Sequence, residues 1–490
     1  MSGGRRGGGC LGWAFRHGDY DTAVPATDLI EPDVLERVLS AALAGGGDMA
    51  EVFAEDAVTS AATLDDGRIE ELSSGRSRGA GIRVVDGETT GFAHTADLSE
   101  PGLMAAAEAA SAIARRGGGG TATVAVTSVP EARPTAAVLP ESIPKAVKVE
   151  LLVRADAAAR GEGAAVRQVT ATYADSRRRI LVANSDGLFA ADDQVKTRFA
   201  VQAVASGDTG LQTGRESQGF SRGFEFFDDF DVEEAGRLAA RRALTKLNAR
   251  PAPSGTLPVV IKNGGGGVLF HEACGHGLEA DLVGKRASVF AGRRGQAVAS
   301  PLVTLVDDGT MGSEWGAYAI DDEGHPAARN VLIEDGVLTD YLYDFLRARS
   351  EGRGVSTNGR RQSYRHLPMV RMTNTFLVNG ADDPDEIVRQ TPHGVFVAQL
   401  GGGQVNTATG DFVFGMTEAY LIEDGSVTEP LRDANLIGNG PEVLTLIDVV
   451  GNDFAMGPPG TCGKDGQGVP VGDGQPTLRV RALTVGGTAA

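Results

Sequence analysis

The chain has 490 residues, a net charge of −19, 68 glycines and only 3 cysteines. The acidic balance argues against general nucleic-acid binding, because a phosphate backbone is neutralised by Lys and Arg, although it leaves room for a local basic patch. Three thiols make no disulfide framework, and no apolar run reaches the length of about 18 residues that a transmembrane helix needs. We therefore expect a cytoplasmic protein of two or three domains, with no membrane segment and no nucleic-acid partner.

The chain divides into an extension and two larger regions. Residues 1–29 lack the apolar segment of a secretion signal and are expected to form a flexible N-terminal extension. The linker ARPAPSG at 249–255 separates an N-terminal region, 30–250, from a C-terminal domain, 256–490. The predicted fold class is α+β. It places an N-terminal α/β region of helix-flanked antiparallel sheets before a strand-rich mixed β domain that carries the candidate metal-site helix.

The first helix-and-sheet unit, about 30–120, begins with a helix at 31–43, indicated by its Leu and Val spacing. Strands follow, with hairpin turns indicated by the Asp-Gly pairs at 66–67 and 86–87. An alanine-rich helix at 99–115 ends at a run of four glycines.

The second unit, about 140–250, has a predicted helix at 143–160 and then three strands. Asp231 is followed three residues later by a glutamate, which is the pattern of a capping box, and it predicts the start of another helix. The apolar stripe of that helix is expected to consist of Leu238, Leu244 and Leu247.

The C-terminal domain contains the stretch VLFHEACGHGLEAD at 268–281, which resembles a metalloprotease helix with the wrong spacing. His271 and His276 are five residues apart, so on an ideal helix they would diverge by about 140°. A π-bulge would bring them onto one face. Alternatively, the helix ends or bends at Gly275, where glycines on both sides of His276 free the backbone.

Glu272 directly follows the first histidine, where a general base would take a proton from a metal-bound water. A catalytic zinc has three protein ligands and one open position, and the spacing leaves the third ligand undetermined. Cys462 is an attractive candidate because turn residues flank it. The plainer interpretation is that the histidines are helix caps or core polar groups, and Cys274 fits a small buried residue better than a ligand.

Several longer motifs resemble the TldD/PmbA family, and specifically its metal-motif branch. The resemblance extends from about residue 30 to the C-terminus and is dense over 255–490. The motifs are HEACGHGLEAD, IDDEGHPAARNVLIEDG, NGRRQSYRHLPMVRMTNTFL, GGGQVNTATGDFVFGMTEAYLIEDG and VGNDFAMGPPGTCGKDGQGVPVGDGQPTLRV.

The resemblance implies a zinc metalloprotease with the pattern His-Glu-x-x-x-His and a distant cysteine ligand. His271, His276 and Cys462 would bind one Zn²⁺ per chain, with another divalent metal as an alternative, and Glu272 would be the general base. The implied substrates are unfolded or extended peptides, including leader peptides. The implied partner is a PmbA-like (TldE-like) paralogue in a heterodimer, with a homodimer as the alternative.

Two segments are candidates for peptide contact. Gly401, Gly402, Gly403 and Gln404 offer close approach to a peptide backbone, or else form a bulge or loop. A basic segment is either a solvated loop or a clamp for a peptide carboxylate. Its members are Arg360, Arg361, Arg365 and His366.

The sequence also allows a different functional class. In that class the chain is a regulatory or binding protein without catalysis, and Cys274 completes a closed, four-coordinate structural metal site.

Overall fold

The computed structural model describes residues 26–114, 127–128 and 136–487. Most of the predicted extension therefore lies outside the described residues, and its last part is the 3₁₀ turn Ala26–Leu29. No helix within these ranges combines the length and apolarity needed to cross a membrane.

The N-terminal region contains five helices and seven strands within the described residues. In chain order they are α1 (Pro32–Leu43), β1 (Met49–Asp65), β2 (Arg68–Asp86), β3 (Thr89–Thr95), α2 (Glu100–Ala114), β4 (Thr127–Ser128), α3 (Lys145–Gly161), β5 (Val166–Asn184), β6 (Leu188–Gly207), β7 (Gly210–Phe220), α4 (Phe226–Asp229) and α5 (Val232–Leu247). The predicted helices of both units are present, and the Asp231 carboxylate caps α5 by accepting from two backbone amides.

The two predicted units share a single sheet, antiparallel except for the short β4, because β1 pairs with β5 from Glu51 to Asp65. Its strand order is β3-β2-β1-β5-β6, with β7 and the short β4 both on β6. Side chains alternate between faces along a strand, so Val52 and Ala54 pack under α1 and α2 while Phe53 points to the opposite face. Helices α3 and α5 cover the other end of the same face as α1 and α2.

The C-terminal domain is built mainly from strands. In chain order its elements are β8 (Arg250–Pro251), β9 (Gly255–Ile261), α6 (Gly267–Ala273), α7 (Ala280–Gly284), β10 (Leu305–Asp308), β11 (Arg329–Glu334), β12 (Val337–Leu338), α8 (Phe345–Ser350), β13 (Gly359–Arg360), β14 (Met369–Val370), β15 (Asn374–Leu377), α9 (Pro384–Arg389), β16 (His393–Val405), β17 (Asp411–Glu423), β18 (Ser426–Arg432), β19 (Asn435–Asn439), α10 (Gly440–Leu446), β20 (Ile447–Val450), β21 (Ala455–Met456), β22 (Gly460–Lys464), β23 (Gln467–Gln475) and β24 (Leu478–Gly486).

Five of these strands close into a ring, since β16, β9, β24, β19 and β17 pair in succession and β17 pairs again with β16. A second sheet has the order β12-β11-β10-β15-β23-β21, and β22 forms a hairpin with β23. Helix α6 lies between the two systems and contacts β15 and β23 on one side and β16 and β17 on the other. The predicted α+β fold class, with a strand-rich domain that carries the metal-site helix, is confirmed.

Asp-Gly pairs form hairpin turns in both regions. Asp66 and Gly67 have φ of 47° and 78°, and Asp335 and Gly336 have 47° and 82°. Positive φ at both central residues is the type I′ geometry, whose twist matches that of the flanking strands. The turn predicted at 66–67 is therefore confirmed, and it fixes the register of the long β1–β2 hairpin.

Buried ion pairs join the N-terminal sheet to the C-terminal domain. The Glu51 carboxylate accepts from Arg83 at 2.7 Å and from Arg361 at 2.5 Å, and Arg83 also reaches Glu323 at 2.8 Å. All four side chains are at most 2 % exposed. The two regions are thus bound through charges that have no access to water.

Candidate metal centre

A break in the helix resolves the spacing of the two histidines. Helix α6 ends at Ala273, Cys274 leaves the helical region with φ −123°, and a 3₁₀ turn follows over Gly275–Leu278. The imidazole rings of His271 and His276 then lie 5.2 Å apart between centroids, at 83° to each other. Of the two predicted routes, the chain uses the helix end and not the π-bulge.

Cys462 lies beside both histidines, although it is 186 residues from the second of them. It sits on β22, and its Sγ is 3.3 Å from Nε2 of His276. One ligand atom from each of the three residues lies within 4.8 Å of the other two. Burial opposes ionisation of the thiol, but the two imidazoles lower its pKa to about 4, so Cys462 is a thiolate at neutral pH.

The site fits a thiophilic metal such as zinc. Both ring nitrogens of His271 are buried and lack a hydrogen-bond partner among the described residues. Buried ring nitrogens without a partner are costly, and a metal ion between the three side chains would engage the lone pair of one of them. Two imidazoles and one thiolate are ligands that suit zinc and leave one position for water or substrate.

Glu279 orients His276, and the sequence analysis did not identify it. Its Oε2 lies 2.9 Å from Nδ1 of His276, which leaves Nε2 directed at Cys462. Lys464 donates to the same Glu279 oxygen at 3.0 Å and to Asp281 at 2.8 Å. Burial raises the carboxyl pKa, yet His276 and Lys464 lower the pKa of Glu279 to about 2. Glu279 could have been identified from the sequence, because a carboxylate commonly binds the second ring nitrogen of a metal-ligating histidine and Glu279 lies three residues after His276.

The Glu279→Gln variant is expected to weaken metal binding about 10- to 100-fold, the typical cost of losing such an outer partner. The amide keeps the size of the side chain but loses the charge that orients His276. Competition with a chelator of known affinity measures the change. An unaltered affinity would show that Glu279 serves only to hold Lys464.

Glu272 is the accessible member of the cluster. Its side chain is 36 % exposed, whereas that of His276 is 8 % exposed, and its Oε2 lies 3.8 Å from Nε2 of His276. A carboxylate at this place can reach a water molecule at the site without being fixed by an internal hydrogen bond. Cys274, by contrast, packs in the apolar core, where burial raises its thiol pKa to about 12.

The glycine segment lies in β16 and carries a bulge. The pairing of β16 with β17 is irregular between Leu400 and Gly403, and Gly401 and Gly402 line a cavity next to α6. Gly403 packs on Phe414, where a side chain would collide, so its role is structural. Gln404 is exposed and does not line that cavity.

The basic segment is not a solvated loop at its first two arginines. Arg360 is buried and donates to the carbonyls of Met372 and Pro470, and Arg361 is 1 % exposed and bonded to Glu51. Internal carbonyls and a carboxylate occupy these guanidinium groups, so neither is placed to hold a peptide. Of the other two members of the segment, Arg365 is exposed and His366 is half-buried.

A buried pair of histidines with a thiolate, beside a part-exposed glutamate, could hold a metal ion and activate a water molecule, as metal-dependent hydrolases do. Three models of the PmbA/TldA metallopeptidase match the chain: domain 1 at 50–114, the central domain at 139–247 and the C-terminal domain at 254–487. The chain belongs to the PmbA/TldD family.

Individual relatives agree with that assignment. A Haemophilus influenzae protein named metalloprotease TldD homolog is 41 % identical over 436 residues, which cover 87 % of this chain and 90 % of the relative. Two solved structures have the same fold. A Thermotoga maritima protein, described as a candidate modulator of a DNA gyrase, has a TM-score of 0.78 at 22 % identity and covers 93 % of this chain and 99 % of its own. TldE from Thermococcus kodakarensis has a TM-score of 0.74 at 20 % identity and covers 92 % and 99 %.

Proposed function

We propose that the chain is a zinc-dependent peptidase that hydrolyses peptide bonds in unfolded or extended peptides, leader peptides among them. The observation that carries the proposal is the convergence of His271, His276 and Cys462 next to an accessible Glu272. These three side chains would hold the metal. A bound zinc ion would supply Lewis-acid polarisation of the peptide carbonyl and would make water a better nucleophile at neutral pH.

The chain's own residues provide the proton transfers. Glu272 takes a proton from the attacking water and can pass it to the departing amine, because it is close to the site and still open to solvent. Glu279 keeps Nδ1 of His276 engaged, so that Nε2 stays available to the metal. The buried Lys464 balances the Glu279 charge.

The end of β16 offers a place for an extended substrate. The ladder between β16 and β9 covers only Val395–Val397, and the amide of Leu400 donates to Gly265. Beyond Leu400 no described strand pairs with that edge of β16. An added peptide strand would hydrogen-bond there mainly through its backbone, which suits substrates of varied sequence.

We further propose that the chain pairs with a TldE-like paralogue, with a homodimer as the alternative. The proposal rests on membership of a family that also contains TldE, whose fold this chain shares. A thiolate ligand must stay reduced, which supports a cytoplasmic location.

The test is metal analysis and peptide digestion on the purified chain, alone and with a TldE-like partner. We expect about one zinc per chain and cleavage of unstructured peptides that a chelator abolishes and added zinc restores. Cys462→Ala is expected to lose the metal and the activity, while Cys274→Ala, the matched control, retains both. Metal held by Cys274 in a closed shell, without any peptide cleavage, would instead support a regulatory protein.

A further inference from the structure

A cavity of about 630 Å³ adjoins the metal centre, between the N-terminal sheet and the C-terminal domain. One wall is formed by Gly267 and Val268 at the start of α6, and another by the bulged glycines of β16. Its lining also includes Thr461, the neighbour of Cys462, and Asp473. Asp473 lies against Gly267 in the first turn of α6, the helix that carries His271 and Glu272, so this end of the cavity is close to the candidate metal centre.

The opposite wall is the exposed face of the β6–β7 ribbon, which helices do not cover. Gln202 on β6 faces Arg215 on β7, and Arg198 lies four residues before Gln202. Residues that differ by an even number along a strand share a face, so both guanidinium groups lie on the cavity side. Lys246 of α5 adds a third cation to the lining.

The two arginines lack partners within the described part of the chain. Arg198 and Arg215 form no side-chain hydrogen bond or ion pair there, whereas the charges of Glu418 and Asp433 act on Lys246. Asp473 is the only acidic residue in the lining. Burial and the neighbouring Arg215 lower the pKa of Arg198, because the two guanidinium groups lie close enough to repel each other. In a chain with a net charge of −19, two arginines without an ion pair on one wall of a cavity favour an anionic ligand there.

We propose that Arg198 and Arg215 bind a carboxylate of the peptide substrate, so that peptides with an acidic group on the cavity side of the scissile bond are preferred. This inference rests on the proposed peptidase function and adds a substrate class to it. The carboxylate can come from an Asp or Glu side chain or from the peptide's own C-terminus. Guanidinium groups suit both, because their fork of donors matches the two carboxylate oxygens.

The experiment uses four versions of one peptide that the protein cleaves. The reference version is neutral and has an amidated C-terminus. Two others add to it either an Asp or Glu, or a Lys, and the fourth is the neutral peptide with a free C-terminus. Wild-type protein is expected to favour at least one carboxylate-bearing peptide over the neutral one by about tenfold or more in kcat/KM. Added salt should reduce this ratio, since the arginines face a hydrated cavity. A higher kcat/KM for the Asp or Glu peptide alone shows that the site binds an acidic side chain. A higher kcat/KM for the peptide with a free C-terminus alone shows that it binds the terminal carboxylate.

The variant Arg198→Gln/Arg215→Gln should bring the ratio close to one, while Arg167→Gln, an exposed arginine outside the cavity, should leave it as in the wild type. Binding is measured separately by fluorescence anisotropy in a Glu272→Gln background. There the double substitution should raise Kd for the carboxylate-bearing peptide about tenfold. Equal cleavage of all four peptides by the wild type, or a preference for the Lys peptide, would overturn the carboxylate site and leave the peptidase intact. Absence of any cleavage would overturn the peptidase function, and the anisotropy measurement would still decide on the carboxylate site.

Discussion

Glu272→Gln should retain the metal and lose peptide hydrolysis by a factor of about 10² to 10⁴, the range that a positioned general base contributes. The amide is nearly isosteric with the carboxylate but cannot accept a proton at neutral pH. Metal retention follows because the three candidate ligands do not include Glu272. The measurements are kcat/KM on an unstructured peptide and the zinc content of the same preparation.

The matched control is Glu334→Gln, which removes one charge from an exposed strand position of the same domain. It should cleave at the wild-type rate. Wild-type cleavage by Glu272→Gln would show that another group activates the water. Loss of zinc from that variant would show that Glu272 is a ligand and not a base.

Local sequence signals predicted those parts of the fold that depend on neighbouring residues. The cap at Asp231 and the Asp-Gly turns are decided within a few residues, and both were predicted correctly. The apolar stripe of α5 was predicted only in part. Leu244 and Leu247 pack against the core, but the fully buried face consists mainly of small residues such as Ala235, Ala239 and Ala243. Gly214 of β7 lies directly against this helix, so close packing selects alanine where the pattern favoured leucine.

In the candidate site, too, the residues that are close in sequence could be predicted and those brought in by the fold could not. His271, Glu272 and His276 stand out because they are close in sequence, and Cys462 was attractive but was placed with them only by family resemblance. Its approach depends on how β22 and β23 fold beside α6, which no local pattern encodes. The burial of Arg361 was equally hidden, because its partner Glu51 lies 310 residues away in the other region. A cluster of charged residues in a sequence indicates an exposed segment only when the fold brings no oppositely charged residue against it from elsewhere in the chain.

The Glu51→Ala variant is expected to lose about 3–5 kcal/mol of folding free energy, the typical cost of breaking a buried ion pair by removing one partner. Arg361 would keep no carboxylate partner, and Arg83 would keep only Glu323. Arg83 and Arg361 are each 1 % exposed, so water cannot replace the lost charge. Chemical denaturation measures the loss, with the fall in Tm as a second readout.

The control for that variant is Glu429→Ala, which removes a pair with Arg250 whose side chains are 60 % and 53 % exposed. Exposed pairs contribute about 0–1 kcal/mol, so this change should be small. The double variant Glu51→Gln/Arg361→Met should cost less than the sum of its single changes, because it removes opposite buried charges together. Equal losses for Glu51→Ala and Glu429→Ala would mean that water enters the contact between the regions. The cost of Glu51→Ala therefore measures how dry the contact between the N-terminal sheet and the C-terminal domain is.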